Sequence, residues 1–471
     1  MSQTVFTYAD LFVSPYQFEK MTQLHLSRQL NEHSKLTLSG IVPEEKLDQY
    51  VEQADENERI ELYVQDGARK RVLFQGVVTK LSVQSVRDVR HIVIEAYSTT
   101  IQMDIAKKTR SFQNKRLAYR DLFAKITAQY PGADVVDEAS GGKQIGGLLV
   151  QYKETDWEFA KRLASHFQAP LVPVCTQKGL RYFVGIPDSG EPQKLEEYNY
   201  TIKKNLQEYK RKAENDKQDF TEQNTISYEV TSNKILDLCS TVTFQRRTLY
   251  VYSAETRMEH GILVNQYVLR DQKGLLSWPE LSLAELAGSS LFGKVLDVAK
   301  DSVKVHLSID QKQTVEEAIW FPYSTVYSSP DGSGWYCMPE IGDEVRLYFP
   351  DAKEQHAFAA SSVDLLSSDP QKRSDPSIKS ISTKYGKQII FRPGAIEIIG
   401  SGKLLMRLTD DGGIEINSDK KITLTAKEDI EITGGEKVLI HGEAGIDMKQ
   451  ADATLSIVDD VTLSGAKVNI K

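Results

Sequence analysis

The sequence predicts a mainly β chain with one α/β insertion: two β-barrels, a smaller third barrel and a C-terminal repeat of short strands that suits a β-helix, triple-stranded where three chains share it. Three observations carry that expectation. Short alternating strands fill residues 20–105 and return over 182–275, with the helical patterns confined to the stretch between them. A Gly-Ser-Ser joint at 288–290 opens a compact run of further strands. Near the C-terminus, apolar pairs recur every eight residues. The implied partition is 1–110, first barrel; 111–180, insertion; 181–287, second barrel; 288–367, third barrel; and 368–471, β-helix.

In the first segment, Ile60-Glu61-Leu62-Tyr63-Val64 alternates apolar and polar residues, and Asp66-Gly67 follows as a hairpin turn. Val72 to Val83 and Ile92-Val93-Ile94 continue the pattern. Pro43 heads a short helical pattern that reaches Tyr50. In the insertion, Leu117, Tyr119, Leu122, Phe123 and Ile126 recur at helical spacing until Pro131-Gly132 stops them. Thr155 and Glu158 have capping-box spacing at the head of a second helix, whose apolar face is Trp157, Ala160, Leu163, Ala164 and Phe167. Pro170 ends it, before the strand Leu171-Val172-Pro173-Val174.

Strands resume from Tyr182 to about Leu275, interrupted by the charged run 203–223, which reads as a loop or solvated helix. The third barrel draws on Phe292 to Val298, Val303 to Ile309, Trp320-Phe321 and Glu344 to Phe349. About 75 residues in five or so strands is the size of an oligonucleotide-binding-type (OB) barrel. That fold does not entail nucleic-acid binding. The segment also lacks aromatic residues interleaved with a basic stripe.

The C-terminal repeat pairs Ile414 with Ile416, Ile422 with Leu424, Ile430 with Ile432, Val438 with Ile440, and Ile446 with Met448. Leu455/Ile457, Val461/Leu463 and Val468/Ile470 continue with slippage, and Ile389/Phe391, Ile396/Ile398 and Met406/Leu408 stand upstream as less regular members. Each octad reads as a short strand with two inward residues followed by a polar turn. Two side chains per strand cannot bury themselves, so the strand needs neighbours and an opposing apolar surface. An antiparallel meander, a single-chain solenoid and a prism of three intertwined chains all provide them. Periodicity alone does not separate the last two.

Composition narrows the function classes. The 471 residues exceed one ordinary domain, and 40% apolar with 26% charged residues excludes wholesale disorder. A net charge of -8 argues against a nucleic-acid partner. Cys175, Cys239 and Cys337 lie far apart among apolar neighbours and read as buried free thiols, which suits a reducing compartment. The N-terminus lacks the basic and apolar regions of a secretion signal, and no stretch reaches the roughly 20 apolar residues of a membrane span. Synthesis and assembly in the cytoplasm are therefore expected, with any delivery outward by a route other than general secretion.

No catalytic, cofactor-binding or metal site is expected. The eight histidines are scattered and form no HxH, HExxH or Cys/His cluster. GxSxG and P-loop patterns are absent. Glycan hydrolysis needs two carboxylates held roughly 5 to 9.5 Å apart, and no segment reads as an inserted domain that would hold them. A tail-associated peptidoglycan hydrolase and a glycan-binding β-helix protein remain as alternatives. The second would call for an aromatic groove along the repeat.

Two segments resemble the VgrG family, the fused hub and spike of contractile injection machines. Gln151-Tyr152-Lys153-Glu154-Thr155-Asp156-Trp157-Glu158-Phe159, continuing to Leu163-Ala164, resembles the family's hub segment. Gly334 to Val345, with Pro339-Glu340-Ile341-Gly342-Asp343-Glu344, resembles its OB segment. The order of domains matches across nearly the whole chain. The departures are the absence of an inserted lysozyme-like domain and of a toxin domain after Lys471, and isoleucine pairs where the family repeats Val-Gly. The resemblance implies a homotrimer whose paired barrels form a pseudo-sixfold ring, whose OB barrels form a collar and whose repeats intertwine into a needle. Inner tube and baseplate proteins would be its partners, with a PAAR-like tip protein or effectors at the C-terminal end and the target membrane met only on puncture. It also implies a structural role for both motifs, with Trp157 and Leu163 as helix anchors and Gly342-Asp343 as a turn.

Overall fold

The computed structural model describes residues 5–43, 49–52, 54–86, 89–215, 220–364, 370–401 and 403–457. The chain divides into two compact units, Met1–Leu366 and Ser367–Lys471.

The first unit begins with β1 (Leu11–Ser14), β2 (Lys20–Gln29), β3 (Lys35–Ile41), β4 (Arg59–Asp66), β5 (Arg69–Val86) and β6 (Val89–Ser98). Alternation dictates their packing: in β4, Ile60, Leu62 and Val64 are buried while their neighbours face outward. Gly67, with φ near +59°, turns β4 into β5. The short helix expected behind Pro43 falls mostly on residues 44–48, outside the described residues; residues 49–52 are helical.

The insertion contains β7 (Lys108–Phe112), the helix Tyr119–Thr127, β8 (Asp134–Asp137), β9 (Leu149–Glu154), the helix Asp156–Ser165, β10 (Leu171–Pro173) and β11 (Arg181–Val184). Strands β10, β11 and β8 form a small mixed sheet, with β11 parallel to β8. The two helices bury the anticipated apolar faces: Leu122, Phe123 and Ile126 from one, Trp157, Ala160, Leu163 and Ala164 from the other. Strands β7 and β9 pair separately as an antiparallel ribbon.

Next come β12 (Gln193–Lys194), β13 (Tyr200–Lys204), β14 (Ile226–Ser232), β15 (Thr241–Phe244), β16 (Arg247–Glu259) and β17 (Ile262–Arg270). The charged run between β13 and β14 includes an α-helix, Leu206–Asn215, whose Glu208 receives Arg270 and Lys212. The two strand-rich segments share one twelve-stranded sheet, because β2 pairs antiparallel with β16 between Gln29/Ser253 and His25/Arg257. Each half keeps its own apolar core, one around Leu36, Leu62 and Phe74 and one around Phe244, Val251 and Tyr267.

The third barrel is closed by β18 (Ser290–Ala299), β19 (Ser302–Leu307), β20 (Trp320–Ser324), β21 (Glu344–Tyr348) and β22 (Phe358–Ala360), in the order β18-β19-β20-β22-β21. Val303, Val305, Leu307, Val345 and Leu347 fill its interior. Two of the cysteines are buried as expected, but Cys337 is exposed. Its apolar neighbour Tyr336 is itself 75% exposed, so local apolarity misled the reading there.

The second unit starts with an antiparallel meander: β23 (Lys379–Ser382), β24 (Gln388–Arg392), β25 (Ala395–Gly400), β26 (Lys403–Thr409) and β27 (Gly413–Ile416). The less regular upstream repeats and the Ile414/Ile416 octad therefore lie on consecutive hairpins rather than on eight-residue coils. The hairpin β28 (Ile446–Gln450) and β29 (Ala453–Ile457) follows later. Residues 417–445 between them carry no strand.

Candidate functional site

Two regions hold the residues that the sequence singles out. The first is the polar half of the Gln151–Leu163 motif. Thr155 caps its helix reciprocally: Glu158 N donates to Thr155 Oγ1 at 3.1 Å, and Thr155 N donates to Glu158 Oε2 at 2.8 Å. Trp157 is buried, and its indole N–H donates to Asn31 O at 3.3 Å, tying the helix to the turn after β2.

Asp156, one residue inside the cap, is fully buried. Its carboxylate accepts from Lys108 Nζ at 2.5 Å, Arg110 Nη2 at 2.8 Å, Tyr130 Oη at 2.7 Å and Gln151 Nε2 at 3.0 Å. Burial opposes its charge, but the bonds from Lys108, Tyr130 and Gln151 and the Arg110 charge prevail and hold the carboxyl below the usual range. Burial and the bond to Asp156 push the Tyr130 phenol up. Each of its two oxygens accepts two hydrogen bonds, which fixes the acid in its charged form as a structural tie.

Arg162 is 3% exposed and faces the other way along the helix. Its guanidinium donates to Glu154 Oε1 and Oε2 at 2.9 and 2.8 Å, to Val150 O at 2.6 Å and to Glu354 Oε1 at 2.9 Å. Burial works against its charge, and Glu154 and Glu354 more than compensate. Glu354 belongs to the connection between β21 and β22, so this one side chain fastens the insertion to the third barrel.

The β7–β9 ribbon reinforces that joint. Ser111 donates from N and Oγ to Asp310 at 2.7 and 2.6 Å. Gln113 donates to Val305 O at 3.0 Å and accepts from Ile319 N at 3.3 Å. Phe112 and Leu149 face the insertion core, whereas Leu148 and Val150 enter the barrel core. In the other motif, Gly342 has φ near +96°, a backbone state that favours glycine, and its N–H donates to Val295 O at 2.8 Å. Asp343 then accepts from Glu340 N at 2.9 Å, completing the turn into β21. Sequence reasoning identified the apolar anchors and this turn. It missed the ionic joint, because Glu354 lies 192 residues from Arg162 and no local spacing announces the pair.

The second region is the octad repeat. Ile414, Ile416, Ile422, Leu424, Ile430, Ile432, Val438, Ile440 and Met448 are between 49% and 72% exposed, and Ile446 is half-buried. The structure places Ile414 and Ile416 on β27, and Ile446 and Met448 on β28. The six between them lie on the segment without strands. A strand exists only against a hydrogen-bonded neighbour, and within one chain these residues have none among the described residues. No described helix is long and apolar enough to cross a membrane.

Residues 292–363 match the family model of the type VI secretion system/phage-baseplate injector OB domain. Residues 57–180 match the Alg8 N-terminal domain model, a span that here runs from just before β4 to just before β11. No curated protein sequence gives a match. Among solved structures, an E. coli type VI secretion component, described as similar to the T4 bacteriophage tail proteins gp27 and gp5, superposes with a TM-score of 0.53 at 12% identity. The alignment covers 75% of this chain and 99% of that one. A Francisella PdpA–VgrG complex in its half-lidded form gives 0.54 at 10% identity, covering 84% and 83%. The lidless PdpA–VgrG complex gives 0.53 at 11% identity, covering 84% and 93%. The chain thus shares its fold with these type VI secretion and PdpA–VgrG structures over most of its length, and the residues that match the injector OB-domain model are those of its third barrel.

Proposed function

We propose that this chain is the trimeric hub and spike of a contractile injection machine, a mechanical part rather than an enzyme. One observation carries the three-chain reading: the three central octads, Ile422/Leu424, Ile430/Ile432 and Val438/Ile440, display alternate apolar side chains, each at least 50% exposed, on a segment without strands. Burying an isoleucine- or leucine-sized side chain stabilises by roughly 1.5–3 kcal/mol. Nine octad side chains in each chain are 49% or more exposed, and this is the apolar surface that association would bury. Three intertwined copies would supply the missing neighbours for each strand and close the open edges. The core of that prism would be Ile414, Ile416, Ile422, Leu424, Ile430, Ile432, Val438, Ile440, Ile446 and Met448.

The mechanism is the transmission of thrust. The first unit would seat on the inner tube and baseplate as a pseudo-sixfold ring, and the OB barrels would form the collar. The needle would meet the target envelope first, carrying a PAAR-like tip protein or effectors. The Arg162–Glu354 joint suits this use, since a hub that slipped against its collar would dissipate the stroke. The fully engaged Asp156 and Arg162 favour structural work over catalysis.

Light scattering on the full chain, and on a chain ending at residue 366, tests the reading. A mass near three times 53.1 kDa that falls to the monomer on truncation is expected. A monomeric full-length chain would overturn it and return attention to glycan binding or hydrolysis.

A further inference from the structure

We infer that the long loop between β20 and β21 is the surface through which the OB barrel of one copy contacts that of the next. The inference rests on the three-chain reading above and assigns a contact which that reading leaves open. Five large apolar side chains stand exposed on this loop: Val326 at 89%, with Tyr327, Trp335, Tyr336 and Ile341. Such a concentration is uncommon on a surface that faces only water.

The loop is built to hold them outward. Ser328 and Gly334 form a β-bridge, and Trp335 N donates to Tyr327 O at 2.9 Å, which ties the two arms of the loop together. At the tip, Ser333 donates from N and Oγ to Asp331 at 2.9 and 2.7 Å. Tyr336 Oη donates to Lys300 O at 2.7 Å, fastening the returning arm to the barrel. Gly334 has φ near +136°, and a Cβ there would lie 2.4 Å from Tyr327 O, so the bridge admits no larger residue.

Charge and tether length select the occupant. Residues 325–343 contain no lysine or arginine, and include Asp331, Glu340 and Asp343. Such a loop has no attraction for a polyanion or an anionic lipid surface. A second copy is nearby by necessity. In a three-chain needle each barrel is tethered through residues 361–378, between the end of β22 and the start of β23. That linker spans at most roughly 60 Å when extended, and holds the barrels at an effective concentration on the order of millimolar. A contact too weak to assemble free barrels would form under that tether, which fits a patch of five side chains.

Cys337 lies on this loop and provides the probe. It is exposed in the single chain, whereas Cys175 and Cys239 are buried, and burial pushes the Cys239 thiol up to about 12. Reaction with Ellman's reagent would be followed in the full-length chain, in the chain ending at residue 366 and in full-length Trp335→Ser. The expected result is one fast thiol in the truncated chain, at least tenfold slower reaction of that thiol in the full-length trimer, and recovery of the fast rate in Trp335→Ser with the mass still trimeric. Three fast thiols would reveal an unfolded truncated chain, and the Trp335→Ser comparison then decides. A full-length trimer whose Cys337 reacts as fast as in Trp335→Ser would overturn the contact and leave the spike reading intact. A monomeric full-length chain would overturn both.

Discussion

The insertion–barrel joint and the octad repeat handle their side chains in opposite ways. At the joint, Arg162, Asp156 and Glu354 are charged residues withdrawn from water, and each is matched by partners from its own chain. In the repeat, isoleucines and leucines remain exposed, with nothing among the described residues of their own chain to cover them. Buried charge is tolerated where its geometry is complete, and exposed apolar surface is tolerated where another molecule completes it. The first region is finished by folding. On the three-chain reading, the second awaits assembly.

The sharpest way to break this contrast is Ile430→Asp. It would bury three carboxylates at one level of the prism, so needle assembly should fail and the solution mass should fall to the monomer. The thermal transition of the first unit should not move. Trimers that survive the substitution would sink the prism. At the joint the expected effect is smaller but intramolecular. Arg162→Ala strands Glu154 and Glu354 in a buried site and should cost about 3–5 kcal/mol in urea unfolding. Hydrogen exchange around Glu354 and Val150 should rise while the trimeric mass persists.

Acid separates the regions further. His166 accepts or donates at Tyr119 Oη over 2.8 Å, and burial, with the Arg162 and Lys143 charges, pulls its pKa from 6.5 down to about 4. Between those values the unfolded chain binds more protons. Stability should therefore decline as pH falls from 6.5 towards 4, by on the order of 1–3 kcal/mol. His166→Gln should remove that part of the decline, as read from urea midpoints at pH 7 and 4.5; an unchanged pH difference would refute it. The smallest effect belongs to Leu439, which alternates with the core pair Val438/Ile440 and is 87% exposed. If it faces outward in the needle, Leu439→Asp should alter stability by no more than about 0.5 kcal/mol, with the mass unchanged. The neighbouring Ile440→Asp should dissociate it.

Much of this architecture was legible from period alone. Two-residue alternation located β4 and β6, and the Thr155/Glu158 spacing located a helix start that its hydrogen bonds reproduce. What stayed hidden was whatever depends on distant pairing. Nothing near Ser27 announces that β2 adjoins β16, 228 residues on, and so joins two strand-rich segments in one sheet. Cys337 looked buried because its neighbours are apolar, although those neighbours line an outward-facing loop. The eight-residue repeat was plain in the sequence. Its partners were not, because a period specifies which face seeks cover and leaves open which chain provides it.

Leu148 and Val150 belong to the insertion by position and to the OB barrel by packing. A recombination that exchanged spikes at the apparent domain border near residue 288 would therefore deliver a barrel lacking part of its interior. For this chain, the unit of inheritance for the barrel includes the β7–β9 ribbon, and a viable chimera would have to transfer the two together or rebuild one to fit the other.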